Sequence, residues 1–267
     1  MERAFDHLTA KILEEIEPPS VGWFGDERFV NEVRLWSTLA SAGACLTSTL
    51  SLLESFPYKV FRDWGHTSES YNAIRSQMRS RNFFLSPATE ETAVWQAGFF
   101  LISAKQRCAA AFDRAVTALC VKSGVVRSSH SNLNYRINEL AKSGQCEWAL
   151  IFETATKKYR KLSMQELRKQ IAQWHSSLSS NIDFETETPS SPDNLIAWED
   201  SKVLPHDIEC VALQHQEVNS FKHNESGWTH QPVDCLLTDF FLTRRAYRFI
   251  CDVFHSSLNK NSRASRS

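Results

Sequence analysis

Apolar residues recur at steps of three and four along most of this chain, and the runs break at proline, glycine or polar clusters. That period belongs to helices. Phe5–Ile16 predicts a first amphipathic helix, stopped by Pro18 and Pro19. A second is expected from Glu27 to Ser55, with Val30, Val33, Ala40, Leu46, Leu50 and Leu53 near helical spacing, before Pro57. A third, polar and rich in Arg, is expected over Ser68–Ser80.

The fourth helix has the strongest signals. Ser86 is a favourable N-cap, Pro87 suits the first helical position, and Glu90 and Glu91 suit the positive end of the helix dipole. Ala93, Ala97, Phe100, Ala104, Cys108, Ala111, Ala115 and Leu119 then mark one stripe up to Gly124. Its small residues let neighbouring helices approach closely, which predicts a central position. Shorter helices follow over Asn132–Lys142, Glu147–Tyr159 and Gln165–Leu178, the last behind a Ser163-Met-Gln-Glu166 capping box.

From Asp183 the pattern changes. Thr186–Asp193 is a loop signature, and the apolar runs Leu195–Trp198 and Ile208–Leu213 are compatible with a small hairpin or with irregular cover. A final helix over Cys235–Leu258 carries Leu237, Phe240, Phe241, Tyr247, Cys251 and Phe254 toward a core. The expected architecture is an all-α antiparallel bundle of about seven or eight helices. It comprises a bundle over residues 1–182, a loop-rich insertion over 183–233, a helix over 234–258 and a disordered tail over 259–267.

Composition narrows the function classes. Lys and Arg total 30 against 31 Asp and Glu, a net charge of −1, so any contact with nucleic acid has to rest on a local patch. Seven scattered cysteines without a Cys-x-x-Cys pair argue against a disulfide framework or a zinc ribbon and point to a reducing cytoplasm. No apolar run reaches the length of a membrane span. Phosphate loops, dinucleotide fingerprints and the nucleophile elbow of α/β-hydrolases are absent, so no cofactor is expected.

Two pairs have the residue types for ribonuclease chemistry: Arg168 with His175, and as runner-up Arg248 with His255. Each pair is seven residues apart on an expected helix, so both members share a stripe. A guanidinium stabilises the charge that develops on phosphorus, and an imidazole moves a proton near neutral pH. The alternative reading is that these side chains cover the edge of the apolar stripe with their amphipathic stems. A basic run, Lys157, Lys158, Tyr159, Arg160 and Lys161, leads into the Arg168 helix and offers phosphate contacts with one stacking ring. Arg75, Arg79 and Arg81, near Phe83 and Phe84, form a second such run.

This layout resembles the HEPN superfamily, helical bundles whose RNA-cutting members carry Arg, then four to six residues, then His. The stretch Gly98–Ala115 is similar to the long helix that precedes the motif, and Leu167–His175 occupies the motif's place, with Lys169 where a polar Asn is usual. The resemblance covers Phe83–Leu178 and the final helix. It implies a metal-independent endoribonuclease, or an RNA binder that has lost catalysis, working as a homodimer with a composite site in a stress or defence setting. Arg168 would stabilise transition-state charge and His175 would serve as general acid or base.

Three other readings stand beside it. One is a non-catalytic interaction module with Trp23, Trp64 or Trp228 exposed to a protein partner. Another is zinc held by some of His206, Cys210, His215, His223, His230 and Cys235, although their spacing matches no compact finger. The last is a metal-dependent phosphohydrolase built on His206-Asp207, with His175 and Asp234 or Asp239 completing the set.

Overall fold

The structure is a computed structural model. It describes residues 6–16, 18, 27–55, 90–125, 132–163, 166, 169–170, 173, 208–209, 211–216, 218 and 236–258. Six helices organise these residues: α1 (Asp6–Glu14), α2 (Glu27–Ser55), α3 (Glu90–Lys122), α4 (Leu133–Ser143), α5 (Glu147–Tyr159) and α6 (Leu236–Leu258). There is no strand among the described residues, so the fold is all-α. No described helix is long and apolar enough to cross a membrane.

Helix α3 is central, as its small-residue stripe predicts. Ala93, Ala97, Ala104, Cys108, Ala111, Ala115 and Leu119 are buried, and α3 packs most extensively against α2 and α6. Small side chains at these positions let the backbones approach, and Phe112, fully buried, fills the space between them. The helix ends where Gly124 adopts φ 66°. Gly124 N–H donates to Val121 O and Val125 N–H to Cys120 O, the paired bonds of a Schellman cap that satisfy the last carbonyls.

Helices α4 and α5 form a hairpin against the C-terminal half of α3. Asn132 caps α4 by accepting from Tyr135 N–H at 2.9 Å, and Gly144 closes it at φ 67°. The carboxylate of Asp113 on α3 meets the guanidinium of Arg136, whose side chain is 6% exposed, and this pair fixes the hairpin laterally. Beyond α5 the capping box forms: Ser163 N–H and Oγ–H both donate to Glu166 Oε2 at 2.7 Å. Those bonds hold the Glu166 carboxyl below its ordinary pKa.

Two expectations change. In α2 the buried stripe is Leu35, Leu39, Ala42, Leu46 and Leu50, whereas Val30, Val33 and Ala40 are only half-buried. These five residues, at steps of four, three, four and four, set the face, and the two valines lie to its side. The Ile208–Leu213 run, compatible with a hairpin by pattern, is helical at every described position from 208 to 218. Ile208, Val211, Ala212 and Leu213 are buried in the common hydrophobic core, so tertiary packing outweighs the β-branched character of the run. Residues 68–80 and 259–267, and the Ser86 cap, lie outside the described residues.

The N-terminal helix is held by polar contacts. Arg244 of α6, with a fully buried side chain, donates from both terminal nitrogens to the two carboxylate oxygens of Glu15 at 2.6 Å each. His255 Nε2 lies 2.7 Å from Glu15 O, and Tyr247 Oη donates to Ile12 O at 3.4 Å. Three residues of one helix thus grip the end of α1.

Candidate functional site

Among the described residues, helix α5 carries an exposed cationic cluster at one end and borders an open groove at the other. Its core side is Ala149, Phe152, Ala155, Thr156 and Tyr159, all buried. The opposite side and both ends face outward.

At the C-terminal end, Lys157, Lys158, Arg160 and Lys161 are exposed, and Lys157 pairs with Glu153 at 2.7 Å. Tyr159 is 1% exposed and belongs to the core, with Lys158 Nζ 5.2 Å from its ring centroid. This corrects the expectation that Tyr159 stacks on a base: period 3.6 turns its ring to the face of Phe152 and Ala155 while its four cationic neighbours stay in water. Stripped of its aromatic member, the run is a set of point charges suited to phosphates.

At the N-terminal end lies an open groove of about 760 Å³ between α5, the C-terminal turns of α3 and α6, and Ile208. Leu119, Trp148 and Ile151 supply its apolar wall, while Lys122, Gln145 and Glu147 supply polar groups. Trp148 is held edge-on by Phe112 at 5.9 Å and Phe249 at 5.6 Å. Lys122 Nζ donates to Ser256 O at 2.8 Å, tying the end of α3 to the end of α6 at the groove's rim. Cys146, the α5 N-cap, makes no side-chain capping bond, so the positive end of the helix dipole opens on the groove. The groove escaped sequence reasoning because its lining comes from four separate stretches of chain. The one local trace was Trp148, in the first turn of the helix that follows the Gly144 turn.

Of the two Arg–His pairs, Arg168 and His175 lie outside the described residues. Arg248 and His255 are both half-buried on α6, two turns apart. The hydrogen bond between His255 Nε2 and Glu15 O gives that imidazole a helix-anchoring place under the end of α1. The structure therefore brings His255 to α1.

Other candidates resolve similarly. Of the histidine and cysteine set, the described side chain is that of His215, whose ring packs edge-on against Phe112 and Phe152 at 6.1 and 6.2 Å. Among the described residues no cluster of three metal-ligating side chains occurs. His206, Asp207, Cys210, His223, His230, Asp234 and Cys235 lie outside them, as do the side chain of Asp239, the Arg75, Arg79 and Arg81 run, and Trp23, Trp64 and Trp228. The described cysteines are free thiols. Burial pushes Cys108 up to about 12, with Cys45 adding to the rise, and pushes Cys120 up to about 11. Burial also raises Cys45, Cys146 and Cys251. Such thiols stay protonated at neutral pH and are poor nucleophiles.

Set beside models of known protein families, curated proteins and solved structures, the chain matches none of them.

Proposed function

We propose that this chain is a HEPN-like helical protein that binds RNA through its phosphate backbone at the C-terminal end of α5. The observation that carries the reading is the exposure of Lys157, Lys158, Arg160 and Lys161 around a buried Tyr159. With a net charge of −1, the whole molecule exerts no general pull on a polyanion, so a dense local cluster has to supply it. Contacts of this kind are electrostatic and independent of base sequence.

In the catalytic form of this proposal Arg168 stabilises charge on the transferring phosphorus and His175 moves the proton, with the 2′-hydroxyl of the RNA as nucleophile. The support is the sequence resemblance and the position of the basic run, a few residues ahead of Arg168. A homodimer with a composite site and a stress or defence setting follow from the same resemblance, and a cytoplasmic location from the scattered cysteines. Free thiols throughout the described core fit a reducing compartment.

The test is fluorescence anisotropy with labelled RNA across a salt series. Single-stranded RNA loses about 0.7 in the slope of log K against log salt per phosphate neutralised. The triple variant Lys158→Ala/Arg160→Ala/Lys161→Ala is therefore expected to flatten the slope by about 2 and to weaken binding at least tenfold at low salt. Unchanged affinity and slope would refute the placement. For catalysis, His175→Ala is expected to slow RNA cleavage by about 10² or more. If folded wild-type protein cuts none of a varied set of RNAs, the catalytic form is wrong and the binding form stands alone.

A further inference from the structure

The groove at the N-terminal end of α5 and the basic run at its C-terminal end lie on one helix, and one face connects them. Glu147, Ile151, Thr154 and Lys158 fall at i, i+4, i+7 and i+11, a single stripe beside the buried side of α5. Glu147, Thr154 and Lys158 are exposed and Ile151 is half-buried. The stripe runs about 16 Å, from the groove wall to Lys158 of the exposed cluster.

We infer that an unpaired base of single-stranded RNA enters this groove while the strand continues along α5 to the cationic end, an inference that rests on the RNA-binding reading above. The groove has the size of a small-ligand site, which at about 760 Å³ accommodates one nucleotide. Trp148 provides an aromatic surface already fixed by Phe112 and Phe249, so stacking a base on it orders no further side chain. Gln145 and Glu147 at the rim can donate to and accept from the edge of the base, and the Glu147 carboxylate suits an exocyclic amine. Lys122 places a positive charge beside the groove, and the dipole of α5 adds to it. An apolar peptide would leave Lys122, Gln145 and Glu147 facing hydrocarbon. A flat ring with polar edges, joined to a phosphate, satisfies both kinds of lining.

Base insertion demands a strand whose bases are free, whereas the cationic end demands only phosphates. Three probes separate these requirements: a labelled single-stranded RNA, its blunt duplex, and a sugar-phosphate oligomer of equal length without bases. Trp148→Leu, and separately Gln145→Ala at the exposed rim, are measured beside the Lys158→Ala/Arg160→Ala/Lys161→Ala variant, with folding checked by circular dichroism. Trp148→Leu is expected to weaken single-strand binding about tenfold. It should leave the duplex and the base-free oligomer unchanged, a selectivity that a merely structural role for Trp148 would not produce. Gln145→Ala is expected to act in the same direction by about threefold, without disturbing the core. If both groove variants bind the single strand as wild type does while the cationic variant fails on all three probes, the groove inference is overturned and the phosphate reading survives. If the cationic variant binds all three normally, or wild type binds none, both fall.

Discussion

Replacing Glu15 by Ala tests whether the grip on α1 is a stabilising joint or an incidental surface contact. The Arg244 side chain is fully buried and meets Glu15 through two bonds of 2.6 Å, while the Glu15 side chain is 22% exposed. Removing the carboxylate strands a buried guanidinium, which costs about 3–5 kcal/mol where water is excluded. Partial exposure of Glu15 lets solvent reach the vacated space, so the lower end, about 3 kcal/mol, is expected. Tyr247 and His255 still reach α1 through Ile12 O and Glu15 O, so the helix remains docked and the loss reports the stranded charge. Urea denaturation followed by circular dichroism reads the effect; at an m-value of about 3 kcal/mol/M the midpoint falls by about 1 M. The double variant Glu15→Leu/Arg244→Met removes both charges and is expected to lie within about 1 kcal/mol of wild type. A single-variant loss below about 1 kcal/mol, or single losses that simply add in the double, would refute the reasoning.

Three more outcomes follow from individual contacts. A Cβ on Gly43 would lie 2.8 Å from Tyr247 Oη, so Gly43→Ala is expected to cost about 1–3 kcal/mol in thermal unfolding, and Tyr247→Phe should recover part of it by removing that hydroxyl. His255→Ala should lower stability by about 1 kcal/mol through the lost bond to Glu15 O while leaving RNA affinity and cleavage unchanged; a loss of cleavage with stability intact would return His255 to the catalytic candidates. The lowered pKa of Glu166, caused by its bonds to Ser163, means that the capping box contributes stability above the ordinary carboxyl value of 4.5 and loses it as acid titrates the folded state below that value. Amide chemical shifts of Ser163 should therefore move in a transition centred below pH 4.5, and one centred above 4.5 would contradict the geometry.

Much of the fold was legible because helical signals are local. Glu27–Ser55 and Glu147–Tyr159 coincide with α2 and α5, and Gly124 ends α3 through a cap that only a residue tolerant of positive φ adopts easily. The central role of α3 followed from its alanines. What pattern alone could not decide was which of two adjacent stripes in α2 turns inward, because the winning face is selected by packing against α3 and α6, remote in sequence. The Glu15–Arg244 pair spans 229 residues and left no local trace. The basic run was legible as charge, yet the burial of Tyr159 depends on a helical phase that tertiary packing selects. Apart from Trp148 the groove left no trace in the sequence, since no single stretch of chain contains more than part of its wall.

The polar interior also constrains where function can reside. Arg244, Arg136 and His255 each have the side chain of a plausible catalyst, and each joins helices: α6 to α1, α4 to α3, and α6 again to α1. The buried thiols are held protonated. Where α3, α6 and the 208–218 segment meet, the remaining void is about 10 Å³, roughly the least that holds a water. Close packing of small residues along α3 produces both results: it brings helices near enough for side chains to bond across them, and it leaves that seam no room for a ligand. Among the described residues, the exposed charged groups of α5 lie at its ends, away from these seams. On α5 those ends carry a fixed indole beside an open groove and, about 16 Å away, a cluster of exposed cations. In the RNA proposal a single strand uses both ends at once, being long, anionic and intermittently aromatic.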